Sequence, residues 1–266
     1  MRLYITEFKL RLIIFFQYRA SAIAGLSTQF FWALMMILIY MNLFEHGASV
    51  GITLEQTITY TWLHQALFAF INIRISDNEI TGAIKDGNVA YEIVRPYNLY
   101  FWWYIKVLSK RVASGLLRFL PVLIFAFLLP KPYGLSIPYS FTSFLLFMIT
   151  LILGILLVAA LNLLVYTIAF YTYNSNGISS ILNVFMELLS GGLVPVVMLP
   201  LFIQKSTYYL PFRLISDLPF RVYSGNIYSL NALAGIILQI IWLIILLFVG
   251  NLIVKKSLKK VFNQGG

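Results

Sequence analysis

The 55 positions from 132 to 186 carry no charged residue. Further uncharged runs of 25, 18 and 33 residues separate Arg19 from Glu45, Glu55 from Arg74, and Arg221 from Lys255. A helix of a water-soluble fold needs a polar face toward solvent, and stretches of this length leave none. A bilayer requires them, because about 20 apolar residues cross a hydrocarbon core roughly 30 Å thick. The sequence therefore reads as an all-α integral membrane protein whose charges mark where the membrane stops. Charged residues make up 11% of the chain, against about a quarter in a soluble domain. A length of 266 residues holds one membrane domain of roughly six spans and leaves little for a soluble module.

The net charge of +10 admits two readings, nucleic acid or anionic lipid. The Lys and Arg flank the apolar runs, as topogenic anchors at lipid headgroups do, so membrane lipids and no nucleic acid are the expected partners. The chain has no Cys, which excludes a disulfide framework and thiolate metal sites. Glu7, Lys9 and Arg11 interrupt any early apolar core, so no cleavable signal peptide is read.

Six spans are predicted over residues 21–43, 57–73, 112–129, 141–170, 178–203 and 230–254. The long uncharged run must hold two of them, with its turn in the cluster Tyr173-Asn174-Ser175-Asn176-Gly177. Orientation follows from Lys and Arg. Fifteen fall in the N-terminal arm, the segment between spans two and three, and the tail, whereas four (Lys131, Lys205, Arg213 and Arg221) fall on the other side. The positive-inside rule then gives a multi-pass cell-membrane protein with both termini cytoplasmic. The two halves share no Gly, Pro or charge positions, so an inverted-repeat secondary transporter gains no support.

In the arm, residues 1–20, Met1, Ile5, Phe8, Leu12 and Phe15 fall on one helical stripe, away from Arg2, Lys9 and Gln17, and Glu7 can pair with Arg11 at i, i+4. This reads as a helix lying in the membrane interface; an extended first span is the alternative. Between spans two and three, residues 74–111, Ser76 and Glu79 have capping-box spacing for a short helix. Gly87 suits the left-handed position that ends it, and Pro96 biases Arg95 away from helix. An ordinary interfacial connector fits the same residues.

The run Ile84-Lys85-Asp86-Gly87-Asn88-Val89, followed by Ile93-Val94-Arg95-Pro96-Tyr97-Asn98, resembles type-2 ATP-binding-cassette permeases of bacterial exporters. The later run Glu187-Leu188-Leu189-Ser190-Gly191-Gly192, then Pro195, Pro200 and Leu210-Pro211-Phe212, is similar to that family's fifth span and extracellular re-entrant region. The resemblance covers nearly the whole chain. It implies one permease domain, residues 1–266, with an interfacial N-terminal helix, a cytoplasmic coupling helix and an outer re-entrant region at 191–226. It also implies a dimer with a second copy or a sister permease, and a separate ATPase subunit into whose groove the coupling helix docks. Carried over residue by residue, Glu79, Lys85, Asp86 and Gly87 become ATPase contacts, with Arg95 and Pro96 fixing the chain's return.

No phosphate-cradling G-x-x-x-x-G-K-[ST] motif occurs, so ATP hydrolysis is expected on the partner chain. His46 and His64, the only histidines, lack metal-ligand spacing. No catalytic, cofactor-binding or metal site is predicted, and no cofactor. Only 12 residues separate Arg118 from Lys131, about 18 Å of helix, so the third span must extend back past Arg118. Glu187 lies ten residues beyond Gly177, roughly 15 Å along, at a comparable depth. A lone charge there is costly, which suggests an Arg118–Glu187 contact or shared polar cavity; Arg118 snorkelling inward with Glu187 facing water is the other arrangement. Gly191, Gly192 and Pro195 would break the fifth helix, as an outer gate in the family reading or as a packed kink. The aromatic clusters, among them Tyr100-Phe101-Trp102-Trp103-Tyr104, are read as interfacial belts. The resulting expectation is the permease subunit of an ATP-driven exporter. An ATP-independent transporter or channel and a non-transporting membrane scaffold are the rival readings.

Overall fold

The computed structural model describes residues 2–17, 25–47, 51–73, 78–172 and 175–262, and the described residues contain helices and no strand. Eleven α-helices are described: α1 (Arg2–Gln17), α2 (Leu26–Glu45), α3 (Leu54–Ile71), α4 (Asn78–Lys85), α5 (Val89–Ile93), α6 (Leu99–Leu128), α7 (Phe141–Tyr166), α8 (Ser175–Ser190), α9 (Leu201–Thr207), α10 (Asp217–Tyr223) and α11 (Ser229–Phe262). Single 3-10 turns follow α7 at Thr167–Phe170 and precede α9 at Val196–Met198.

Local chemistry fixes several helix starts. Thr53 and Gln56 form a reciprocal capping box ahead of α3. The Asn98 side chain accepts from the Phe101 amide at 3.2 Å to open α6, and Ser140 accepts from the Ser143 amide at 3.0 Å to open α7. α7 sits at the centre, packed against α11, α10, α6 and α3, while α3 packs along α6 and α2. Leu157, Val158, Ala159 and Ala160 of α7 are fully buried.

Four described helices, α2, α6, α7 (with its 3-10 extension) and α11, are long and apolar enough to cross a membrane. Of the other two expected spans, the second lies within three residues of its outline at each end and the fifth does not. α3 carries Thr57, Thr59 and Thr61 inside the protein, where the hydroxyls of Thr57 and Thr61 return to backbone carbonyls one turn earlier. A helix enclosed by neighbours does not need a lipid-compatible surface. The fifth span, expected over 178–203, is corrected: α8 stops at Ser190 after 16 residues, because the backbone turns left-handed at Gly191 (φ 82°). The third span starts 13 positions earlier than expected, so α6 has 30 residues and reaches about 45 Å.

That length explains the basic residues between spans two and three. α6 and the 34-residue α11 both exceed a hydrocarbon core of roughly 30 Å. They overshoot at the same end, where the Asn98 side-chain nitrogen donates to the Asn251 side-chain oxygen at 3.1 Å and Gly250 leaves room for the Tyr100 ring. Lys106 and Lys110 on α6 and Lys255, Lys256 and Lys259 on α11 therefore gather at one end. At the opposite end of α3, Lys131 pairs with Glu55 at 2.8 Å. The aromatic run at the start of α6 is corrected from interfacial belt to core, except at Phe101, which stays exposed. Tyr100 and Trp103 are fully buried and Trp102 and Tyr104 nearly so, because α1, α7 and α11 close over them.

Candidate functional site

α4 and α5 form a small projection at the end where α6 begins. Ile80 and Val89 anchor it, both buried, and the 3-10 turn at Thr167–Phe170 lies beneath α4. Gly87 adopts the left-handed backbone expected of it (φ 73°), and the Asp86 amide closes the helix on the Gly82 carbonyl at 2.8 Å. The expected Ser76 cap lies outside the described residues. α5 ends at Ile93, ahead of Arg95 and Pro96. Lys85, Asp86, Gly87, Arg95 and Pro96 are all exposed, with Tyr91 and Val94 beside them at 77% and 85% exposure.

The inner face of this projection holds a charged cluster. Arg11 of α1 donates from both terminal nitrogens to the two oxygens of Glu79, each at 2.9 Å, and its Nε pairs with Glu7. Lys106 of α6, buried, reaches Glu79 at 2.7 Å and Glu92 at 3.3 Å. The Trp103 indole donates to Glu92 at 2.6 Å. A forked arginine–carboxylate contact is strong and directional. One carboxylate therefore joins α1, α4 and α6.

Burial alone would raise the Glu79 carboxyl, but hydrogen bonds from Arg11 and Lys106, and their charges, hold it down at about 2. Burial likewise works against the Arg11 charge, and the bonds to Glu79 and Glu7 overcome it and raise its pKa. A depressed carboxylate stabilises the fold fully above its ordinary value of 4.5 and loses that contribution as pH falls toward about 2. The melting temperature in detergent is thus expected to fall more steeply between pH 5 and pH 2.5 (about the range of that titration) in the native chain than in Glu79→Gln. Parallel curves would mean the cluster contributes nothing.

The stripe on α1 is corrected at Ile5, while Met1 and the Phe15 side chain lie outside what is described. Tyr4, Glu7, Phe8, Arg11 and Leu12 face the protein, whereas Leu3, Ile5, Leu10, Ile13 and Ile14 are exposed. The ion pair, not the apolar row, chooses the inward face, and the outer face suits lipid.

At the far end of α3, the chain leaving α8 is held by backbone bonds to buried side chains. The Tyr60 hydroxyl donates to the Gly191 carbonyl at 2.9 Å, and the Ser216 hydroxyl donates to the Ser190 carbonyl at 2.7 Å. Asp217, fully buried, accepts from the Val196 amide at 3.0 Å and pairs with Arg221 at 3.2 Å. Arg221 donates to Asn226 at 2.7 Å, and Asn226 donates to the Gly51 carbonyl at 3.0 Å. Pro195 stands at the entry to the 3-10 turn, and the Gly192 amide closes on the Glu187 carbonyl at 3.0 Å. Glu187 is half-buried on α8, and its side chain leans over Gly192. Arg118 is half-buried on α6, its guanidinium against Gly25 ahead of α2.

Residue types alone singled out the Glu7–Arg11 pair, four apart on a helix, but not Glu92, Lys106 or Asp217; Asp217 left the same signal, standing four positions before Arg221. The long-range partners left none. Among the described residues no group of acids and histidines is placed to hold a metal.

The family model described as ABC-2 family transporter protein matches residues 5–265. No individual curated protein matches the chain.

Proposed function

This chain belongs to the ABC-2 transporter family, and we propose that it is the membrane-spanning permease subunit of an ATP-driven exporter. Proteins of this family are membrane transport subunits that work with an ATPase partner. The observation that carries the reading is the two-sided projection of α4 and α5. Its outer side is exposed at Lys85, Asp86, Gly87, Arg95 and Pro96, and its inner side is tied by Glu79 to α1 and α6. The exposed side is the docking surface for the ATPase subunit. Glu79 passes the displacement inward, and α6 and α3, packed along each other, carry it across the bilayer.

In this reading both termini are cytoplasmic, as the gathering of Lys106, Lys110, Lys255 and Lys256 at the projection's end supports. Six helices enter the membrane, with α3 enclosed by protein and α8 as a short fifth element. Residues 191–226 then form the re-entrant outer region. Gly191, Gly192 and Pro195 act as its hinge, and Arg118 and Glu187 are the intramembrane polar pair. Ile181, Val184 and Phe185 of α8 are exposed, and a second permease, identical or a sister chain, is the expected cover.

Because the chain has no cysteine, Asp86→Cys gives a single-site probe. In cells it is expected to crosslink to a nucleotide-hydrolysing soluble subunit and to react with thiol reagents only from the cytosolic side. Labelling from the outside, or export unchanged after deletion of every such subunit, would end this reading.

A further inference from the structure

We propose that the end of the molecule opposite the α4–α5 projection binds an anionic phospholipid, its phosphate held by Arg213 and Lys205 and an acyl chain laid along α11. A cavity of about 550 Å³ opens there between α9, α10 and the start of α11, with Lys205, Arg213 and Arg221 in its wall. Asp217, the acid that faces these cations, already accepts from the Val196 amide and from Arg221. Two positive charges are left over for the cavity.

Arg213 is 93% buried, being only 7% exposed. Its Nε donates to the Tyr208 carbonyl at 2.8 Å, and its guanidinium carbon stands 4.2 Å above the Tyr208 ring. These contacts fix the plane of the group, while Asp217, the described acid whose charge acts on it, is already shared with Arg221 and the Val196 amide and is no anion of its own. Burying such a charge is costly until one is supplied. A phosphate matches a fixed guanidinium with two parallel hydrogen bonds, and exposed Lys205 at the lip adds a second cation.

A second concavity of about 340 Å³ shares Tyr208, Tyr209 and Arg213 and continues over Gly235, Ile237 and Ile241 of α11. Ile237 and Ile241 are exposed on the membrane-crossing part of that helix. The Trp242 indole donates to the Tyr209 carbonyl at 2.7 Å, which pins the tyrosines against α11. A cationic cup that runs into an apolar groove accommodates an amphiphile with an anionic head. A soluble phosphate fills only the cup. This inference goes beyond the transport reading and does not depend on an ATPase.

The full-length protein, purified in detergent, is examined by native mass spectrometry with phosphatidylglycerol, phosphatidylcholine of the same chains, and soluble glycerol phosphate. Phosphatidylglycerol is expected to be retained several-fold better than phosphatidylcholine, and glycerol phosphate at equal concentration should not displace it. Lys205→Gln, at an exposed position, should fold normally and lose about five-fold in retention, and Arg213→Gln should lose more. Equal retention of the two lipids, retention unchanged in Lys205→Gln, or displacement by glycerol phosphate would each overturn the proposal.

Discussion

Asp217→Ala is expected to destabilise the folded membrane domain by about 3–5 kcal/mol, the usual cost of removing one partner from a buried ion pair. Asp217 is inaccessible to solvent and does two jobs at once. It supplies the acceptor for the Val196 amide just beyond the break in α8, and the countercharge for Arg221. Alanine would leave an amide without its partner and an arginine, 17% exposed in its side chain, without its anion. Arg221 in turn orients Asn226, which bonds the loop before α3, so the damage should spread across residues 191–226. Asp217→Asn keeps an acceptor for Val196 and should cost less. Chemical unfolding in detergent, followed by tryptophan fluorescence, reads both variants, and a loss below about 1 kcal/mol for the alanine would assign Asp217 a surface-like role.

Gly191→Ala comes next, at about 2–5 kcal/mol, from two separate sources. The backbone at Gly191 is left-handed (φ 82°), which costs an L-residue roughly 1–2 kcal/mol. A Cβ there would also collide with the Tyr60 hydroxyl and crowd the Asp217 side chain, and overpacking a filled site adds about 1–3 kcal/mol. Tyr60→Phe removes the colliding oxygen, so the double variant should be milder than the sum of the singles. Strict additivity would mean that strain in the backbone accounts for the whole effect.

The membrane class, the helical architecture and the family were legible because uncharged length and short ordered motifs are properties of the chain alone. The left-handed ending at Gly87 and the helix break at Gly191 were legible for a similar reason, since glycine reports its own backbone freedom. What could not be read were relations between distant residues. Nothing local to Glu79 announces that Arg11, 68 positions earlier, will grip it. Nothing local to Tyr100 reveals that α11 will cover it. The threonines of α3 show a related limit: composition describes a helix's own surface, whereas its place in the bundle decides which surface lipid meets. The length of α8 was overestimated because Leu193, Val194 and Val196–Met198 stay apolar after the helix has ended.

α6 runs without interruption from Leu99, two turns before Lys106 of the charged cluster, to Leu128 near the opposite rim. Its one proline, Pro121, lies in the final third, so the stretch nearer the cluster is the stiffer one. Such a rod needs no relay of small rearrangements. A swing of about 5° about its cluster end would sweep the far tip by about 4 Å, given its ~45 Å length. A nudge the size of one side chain at one face is thereby enough to part or close helices at the other.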